Sequence, residues 1–380
     1  MVKFCLNVMR KCLICKENTI IIKKNLKCTI PGSDKVYNSH LVICTKCNHV
    51  QKVINRQWLK FTSNLYEDKY FFLGKHINFK KNKVISRDAF IVNEVDKSLK
   101  LKKNGDFIDI GCGTGNFLEA FKKKKRFWNL DAQDLSKLHI KKLRKKLNLE
   151  KFYHCPIENI KKKYDLISIN HVLEHIQKPL EFVNNIHYLL KDNSYLIIRV
   201  PNLAFVHSDL TMLDHCSHFT KNSIEQLIHI SKFNCYRKLK GINENELFYV
   251  LKKDNSKNIK KIKKNLLFST IRFVKKIIKR SKSFEERIIK DKKNLIGAFG
   301  IGTSSFFLNS LLKDKIKFFV DEDPSKINKY YLNKKIYSIK AYPENSNIYV
   351  WVQNKHISNL IKKRIKVQRK SSVGKVLSIS

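Results

Sequence analysis

One short stretch constrains the fold of this chain more than any other, because a strand pattern runs directly into a glycine-rich turn and then a helix pattern. The strand is predicted at residues 107–110, the turn holds Gly111, Gly113 and Gly115, and the helix begins at Asn116. Glycine has no Cβ, so such a turn can be tight and its backbone can lie against a flat or anionic ligand. The helix start adds unpaired N–H groups and a positive dipole end. The stretch therefore predicts an α/β fold with a ligand at this turn.

Two acids accompany the turn. Asp109 stands two residues before the first glycine, and Asp134 follows Gly115 by nineteen residues, at the end of the next strand pattern. At that position a carboxylate can accept hydrogen bonds from a ribose. A dinucleotide-binding turn spaces its glycines G-x-G-x-x-G. Here the spacing is D-x-G-x-G-x-G, which indicates a different cofactor.

This spacing resembles motif I of the class I S-adenosyl-L-methionine (SAM) methyltransferases. Residues 164–176 resemble the fourth strand of that family and the loop after it, and residues 189–202 resemble its fifth strand. Asn193 and Ser194 replace the usual glycine before the fifth strand, a change that a turn tolerates. The resemblance implies a Rossmann-like domain that binds SAM through the glycines, Asp109 and Asp134.

Alternating strand and helix patterns predict a parallel sheet with helices on both faces. Ligands of such sheets lie beyond the carboxyl ends of the strands, where Asn170 and His171 also fall. We expect Ile157 to contact the adenine of the cofactor and Glu158 to hydrogen-bond it. A plain surface loop is the alternative for that pair.

Two cysteine pairs near the N-terminus form a second strong pattern. Cys12 and Cys15, like Cys44 and Cys47, are separated by two residues, a spacing that turns both thiolates toward one ion. Four thiolates make a closed, structural Zn²⁺ site. Other candidate ligands nearby are Cys5, Cys28, His40 and His49, and buried free cysteines are the alternative to a metal. No signal-peptide pattern is evident, so we expect a reduced, cytoplasmic protein.

The formal net charge of +46 invites a nucleic-acid partner. Lysine is nevertheless spread along the whole chain with abundant Asn, Ile and Phe, a bias that an AT-rich coding sequence produces. We favour solvated lysine faces and keep RNA as the less favoured partner. The long uncharged run at residues 294–312 contains glycines and hydroxyl residues, so it predicts strand, turn and helix and no transmembrane segment.

Four segments follow from these patterns. Residues 1–74 are predicted to hold the zinc-binding module and an aromatic segment that is a lid or a packing joint, and residues 75–250 the SAM domain. Residues 251–293 predict a basic amphipathic linker helix that packs on a neighbouring domain, with a membrane or RNA contact as the alternative. Residues 294–380 predict a second Rossmann-like unit, which binds a nucleotide or phosphate or binds nothing.

Histidines near the predicted cofactor edge are candidates for proton transfer. Asp214, His215 and His218 precede a helix that Thr220 is expected to cap, and His175 follows the fourth strand. The alternative is that these histidines only pack against the helix start or bond to the backbone.

The order of zinc module, SAM domain and Rossmann-like unit resembles the sugar C-methyltransferases, which act on nucleotide-linked keto-deoxysugars. The resemblance implies that His215 is the base that forms an enolate, with Asp214, His175 and the lid residue Tyr70 in support. Met212 stands where the family has tyrosine, and Asp214 where it has glutamate. These departures leave an O- or N-methyltransferase of a saccharide or lipid as an alternative. An RNA methyltransferase and a non-catalytic scaffold are further ones.

Overall fold

The computed structural model describes residues 11–30, 33, 35–56, 58–62, 77–80, 83–241, 244–253, 266–293, 295–312, 314–352, 355–368 and 374–379. Two residues of the sequence analysis, Tyr70 and Cys5, lie outside these ranges.

The N-terminal part of the chain forms antiparallel strands. These are β1 (Thr19–Cys28), β2 (Tyr37–Cys44), β3 (Val50–Lys52) and a separate hairpin of β4 (Ile77–Lys80) and β5 (Lys83–Ser86). One cysteine pair precedes β1 and the other falls at the turn between β2 and β3. The pairing of β1 with β2 and of β2 with β3 brings the two cysteine turns to the same end of the sheet.

The central part alternates strands and helices as predicted. Its elements are α1 (Arg87–Leu99), β6 (Asn104–Ile110), α2 (Asn116–Lys124), β7 (Phe127–Gln133), α3 (Ile140–Leu147), β8 (Lys151–Tyr153), β9 (Tyr164–Asn170), α4 (Pro179–Tyr188), β10 (Leu190–Pro201), β11 (Ser217–His218), α5 (Lys221–Ile230), β12 (Phe233–Leu239) and β13 (Glu246–Lys253). Thr220 caps α5 as expected, since its Oγ1 accepts a hydrogen bond of 3.2 Å from the backbone N–H of Ser223.

Seven of these strands form the central sheet, in the order β12-β13-β10-β9-β6-β7-β8. The five strands from β10 to β8 run parallel, and β13 is antiparallel to both of its neighbours, β10 and β12. Side chains on both faces are buried: Phe107 of β6 packs with Phe121 and Trp128, and Ile108 packs on the opposite face with Ile167. Strand order reverses between β6 and β9, so a ligand crevice is expected at their carboxyl ends.

The basic linker segment forms one long helix, α6 (Leu267–Lys290). Val274 and Ile277 pack with Leu41 and other apolar side chains of the N-terminal strands, while Phe284 packs into the C-terminal core. The helix thus packs on both the N-terminal strands and the C-terminal unit.

The C-terminal part is a second α/β unit. It comprises β14 (Ile296–Phe299), α7 (Thr303–Leu311), β15 (Ile316–Asp321), β16 (Tyr330–Tyr331), β17 (Lys334–Ser338), β18 (Asn347–Val350), α8 (Lys355–Gln368) and β19 (Val376–Ser378). The sheet order is β16-β17-β15-β14-β18-β19, parallel except for β16. The expected strand, turn and helix at residues 294–312 are present. Across the described ranges, no helix combines the length and the apolar character needed to cross a membrane.

Candidate functional site

The glycine turn lies at the carboxyl end of β6, where the strand order reverses. Gly111 has a φ of +66°, and a Cβ there would come within 2.5 Å of Val172 Cγ2. Gly115 has a φ of +74° and lies against Leu143. The N–H of Gly113 donates a hydrogen bond of 2.8 Å to Asp134 Oδ2. The structure therefore brings the turn and the predicted ribose acid together.

Asp109 is buried beneath this turn. It accepts hydrogen bonds from Ser168 Oγ at 2.5 Å and from Asn170 Nδ2 at 3.0 Å. Burial raises the pKa of Asp109 to about 7, against the opposing effect of these two donors. Asp109 thereby fixes Asn170 at the end of β9.

A cavity of about 1240 Å³ opens along this edge of the sheet. Most of the site residues predicted from the sequence line it: Asp109, Gly111, Gly113, Asp134, Ile157, Glu158, Asn170, His171, His175 and His215. Gly115 packs instead against α3, and Asp214 is fully buried behind His175. Ile301 and Gly302, from the glycine turn of the C-terminal unit, also line the cavity.

The predicted adenine pair lies on a short 3-10 turn at Ile157–Asn159. Ile157 is buried, whereas the carboxylate of Glu158 is on the surface and accepts a hydrogen bond of 3.0 Å from Asn185 Nδ2. Ile157 thus offers an apolar contact and Glu158 a polar one to a ligand in the cavity.

Two histidines face each other on the cavity wall. The rings of His175 and His215 are perpendicular, with centroids 4.6 Å apart. His175 Nδ1 lies 3.3 Å from Asp214 Oδ2. Burial alone would lower the pKa of His175, but the hydrogen bond and charge of Asp214, together with Glu174, raise it to about 9. His175 therefore carries a positive charge at neutral pH.

His215 is bonded to a residue that the sequence analysis did not single out. Asp209 Oδ1 lies 2.5 Å from His215 Nδ1, and Asp209 Oδ2 lies 2.6 Å from His218 Nδ1. An acid six residues before a histidine is a weak signal, because only the turn at His207–Thr211 folds it back.

The segment that carries these side chains is held by the N-terminal strands. β11 pairs with β3 and becomes the fourth strand of the N-terminal sheet. Trp58 Nε1 donates a hydrogen bond of 2.7 Å to the carbonyl of Leu213, and Thr29 exchanges backbone hydrogen bonds with Thr211 and Leu213. His215 thus depends for its position on residues more than 150 positions earlier in the chain.

A buried charged network borders the other side of the cavity. Arg199, with no exposed surface, donates a hydrogen bond of 2.8 Å to Glu246 Oε2, and Glu246 Oε1 also contacts Arg87 and His171. No local sequence pattern points to Glu246. Arg199 could have been noticed, because it is a charged residue within an apolar strand. Buried charges of this kind are stable only when paired.

The four predicted metal ligands converge. The Sγ atoms of Cys12 and Cys47 are 3.4 Å apart and those of Cys15 and Cys44 are 3.5 Å apart, with all four within 4.8 Å of one another. A tetrahedral zinc with Zn–S bonds of about 2.3 Å places its sulfurs roughly 3.8 Å apart. Backbone N–H groups also point at the sulfurs, such as that of Cys47 at Cys44 Sγ. The donor set therefore fits Zn²⁺.

The alternative ligands have other contacts. Cys28 Sγ faces the carbonyls of Leu26 and Leu210, His49 Nε2 lies 3.1 Å from Ser217 Oγ, and His40 accepts a hydrogen bond from Asn25. Neither Cys28 nor these histidines belong to the cluster.

A comparison with known protein families gives a match for the central sheet. Residues 86–237 match the family model described as a methyltransferase domain, within the predicted segment 75–250. No curated protein matches the sequence of the chain.

Several solved structures are similar to part of the chain. The plantazolicin methyltransferase BpumL in complex with SAH is 21% identical, with a TM-score of 0.36, over 44% of this chain and 82% of that one. The mitomycin 7-O-methyltransferase MmcR is 16% identical, with a TM-score of 0.39, over 44% of this chain and 53% of that one. An O-methyltransferase family protein from Burkholderia thailandensis is 13% identical, with a TM-score of 0.38, over 44% and 56%.

The glycine turn, the acid after the second strand and a cavity at their edge are the parts that a SAM site needs, and the turn and the acid lie within the matched range. Residues 86–237 therefore match a methyltransferase domain, and SAM-dependent methyl transfer is the activity that this match supports.

Proposed function

We propose that this enzyme methylates a carbon next to the ketone of a nucleotide-linked deoxysugar, with His215 as the base. One observation carries the proposal: His175 and His215 face the same cavity as the glycine turn, and each ring contacts a buried carboxylate through Nδ1. In His215 this pairing directs Nδ1 to the carboxylate, so Nε2 is the nitrogen that would act as the base.

The cofactor residues follow from the cavity wall. Asp134 would accept hydrogen bonds from the ribose, Ile157 and Glu158 would border the adenine, and residues 111–115 would lie against the methionine part. Asp109, Asn170 and His171 complete this edge. SAM supplies an electrophilic methyl group and leaves as S-adenosylhomocysteine (SAH).

The two histidines would have opposite tasks. His215 takes the proton from the carbon beside the ketone, and the electron pair of that C–H bond becomes the enolate. His175, protonated at neutral pH, donates a hydrogen bond to the enolate oxygen. The enolate carbon would then bond to the methyl group as the bond from that methyl to the cofactor sulfur breaks, and His215 would pass its proton to water. Asp214 holds His175 charged and correctly oriented.

The change from tyrosine to Met212 fits this division. The Met212 side chain is buried and does not line the cavity. A thioether donates no hydrogen bond, so the donor to the oxyanion must come from another residue. His175 can supply it.

The size of the cavity supports a large acceptor. Pockets for one drug-sized ligand measure about 300–1,000 Å³, and this cavity is larger. Ile301 and Gly302 border it from the C-terminal unit, outside the residues assigned here to the cofactor. The space therefore suits a cofactor together with a nucleotide-linked sugar.

We further propose that Cys12, Cys15, Cys44 and Cys47 bind a structural Zn²⁺. With four protein ligands the ion would have no open position. Its task would be to fix the N-terminal strands that hold the segment around His215.

The test incubates the SAH-bound enzyme in D₂O with nucleotide-linked 4-keto- or 3-keto-deoxysugars. NMR then measures the exchange of the sugar proton next to the ketone for deuterium. SAH has no methyl group to transfer, so only the base step is observed. We expect exchange by the wild type, none by His215→Ala, and wild-type exchange by His229→Ala, a histidine on α5 that does not line the cavity.

Two outcomes contradict the proposal. Exchange that survives in His215→Ala would show that another group is the base. Wild-type enzyme that binds SAH but exchanges no proton of any keto-sugar, and transfers labelled methyl to hydroxyl acceptors, would assign it to O-methylation.

A further inference from the structure

We propose that Asp209 is a positioning residue for the methyl-transfer reaction, and that it acts by fixing the tautomer of His215 and stabilising its protonated form. The inference rests on the proposed role of His215 as the base. It adds a residue outside the sequence motif that suggested that role, and a partner, His218, that holds Asp209 in turn.

The geometry is a buried His-Asp-His chain. Asp209 is 1% exposed and His218 is 0% exposed. Each oxygen of the carboxylate serves one histidine, at 2.5 Å to His215 Nδ1 and 2.6 Å to His218 Nδ1. A carboxylate can only accept hydrogen bonds, so both Nδ1 atoms carry protons. The lone pair of neutral His215 is therefore on Nε2.

The position of Asp209 is fixed from two sides. Its turn at His207–Thr211 is bound to the N-terminal strands, since the N–H of Thr29 donates to the carbonyl of Thr211 at 2.8 Å. His218 lies on β11, paired opposite Val50 of β3. The carboxylate thus cannot rotate away from His215 without breaking contacts on both elements.

At neutral pH Asp209 is charged and His218 is neutral. Burial alone would raise the pKa of Asp209, but the charges and hydrogen bonds of His218 and His215 hold it below its usual range. Burial lowers the pKa of His218 to about 4, so that ring is a neutral donor at pH 7. His218 supports the carboxylate without competing with His215 for the substrate proton.

Other charged groups also surround His215. The ring of His175 faces it, and the carboxylate of Glu174 lies within 4.8 Å of both rings. Asp214 is its neighbour in sequence, and Lys52 of β3 donates a hydrogen bond to its carbonyl oxygen. Asp209 differs from all of these because it contacts the ring nitrogen directly. Its removal should therefore change the proton affinity of His215 more than removal of the others.

The first test is Asp209→Asn, an isosteric change that removes the negative charge. In a Ser-His-Asp enzyme the same change lowers kcat about 10⁴-fold. We expect a fall of at least about 100-fold here, with SAH affinity within about threefold of wild type. The acidic limb of the pH–rate profile should move to lower pH, because the imidazolium of His215 loses its anionic partner.

The second test does not need the acceptor. Histidine-selective ¹⁵N NMR of the SAH-bound protein reports the tautomer and titration of His215, assigned with His215→Gln. Wild type should show the Nδ1–H tautomer, and Asp209→Asn should weaken that preference because the anionic acceptor is gone. His218→Phe, which leaves the carboxylate in place, should have a smaller effect on both properties.

Failure of this inference and of the proposed function are separable. If wild type methylates no keto-sugar, the NMR titration still decides whether Asp209 controls His215. The inference is wrong if Asp209→Asn leaves the tautomer and the titration of His215 unchanged, or if it lowers turnover only together with melting temperature and SAH binding, with no shift of the pH profile.

Discussion

The ammonium of Lys52 donates a hydrogen bond of 3.0 Å to the carbonyl oxygen of His215 and a second one to the carbonyl of Met212. Lys52 is fully buried at the end of β3, and its own N–H donates to the carbonyl of Cys216. A lysine of the N-terminal sheet therefore fixes the backbone of the proposed base. The cysteine-rich strands thereby support, from behind, the segment that carries His215 to the cavity.

The first prediction concerns zinc. Removal of the ion by a chelator, or Cys44→Ser, should lower methyl transfer by about 100-fold or more, because an error of about 1 Å in the position of a catalytic group has that effect. SAH affinity should fall much less, since the residues at the glycine turn belong to the central sheet. Calorimetry with SAH and a methyl-transfer assay would measure both.

Cys235→Ser provides the matched control, because Cys235 is exposed on β12 and outside the cluster. It should retain both zinc and activity. A chelated protein that keeps full turnover would contradict the proposed role of the module.

The second prediction concerns Lys52→Met, which preserves the side-chain length and removes the donor. Two buried carbonyl oxygens then lose their partner, at a cost of about 1–3 kcal/mol each. We expect a lower free energy of unfolding and a reduced kcat. Lys46→Met, at an exposed lysine paired with Glu17, should change the stability by less than about 0.5 kcal/mol. Equal effects of the two changes in urea unfolding would argue against a special role for Lys52.

The third prediction tests the cofactor turn. Gly113 has a φ of +50°, a conformation that a β-branched residue rarely adopts. Gly113→Val should abolish measurable SAH binding in calorimetry while the protein stays folded. Gly302 also lines the cavity, but a Cβ there would meet nothing within 4 Å, so Gly302→Ala should bind SAH normally. Normal binding by Gly113→Val would place the cofactor elsewhere.

The fourth prediction is a pH dependence of stability. The pKa of His175 is about 9 in the folded protein, against about 6.5 in an unfolded chain. Its protonated form therefore stabilises the fold fully below about pH 6.5, and this contribution is lost as the pH rises through 9. The difference between the two pKa values corresponds to roughly 3.4 kcal/mol as an upper limit.

Urea unfolding of wild type and His175→Gln at a series of pH values would check this. The difference in stability should be largest near pH 6 and should shrink toward pH 10. A difference that does not vary with pH would mean that His175 is neutral in the folded protein.

Local patterns in the sequence were enough to predict the cofactor edge. The glycine spacing, the apolar strands and the acid Asp134 all lie within one strand-turn-helix-strand unit, so their spatial relationship follows from their order in the chain. The same holds for the cysteine pairs, since each pair forms its own turn, and for Thr220, whose cap is a contact over three residues.

The proposed acid-base residues could be predicted only in part. His215, Asp214 and His175 were accessible through a motif, but Asp209 becomes a partner of His215 only after an irregular turn. The pairing of β3 with β11 joins residues with no shared pattern, because β11 is only two residues long. The same applies to Glu246, whose partners come from three different elements.

The insertion of β11 beside β3 has a consequence for the nascent chain. Lys52 leaves the ribosome 160 residues before its partner Met212. At about 5–20 residues per second, the edge of β3 therefore waits roughly 10–30 seconds for its neighbour. An uncovered edge strand invites pairing with other chains. Early closure of the cysteine cluster by a metal would hold β3 in its folded register during that interval.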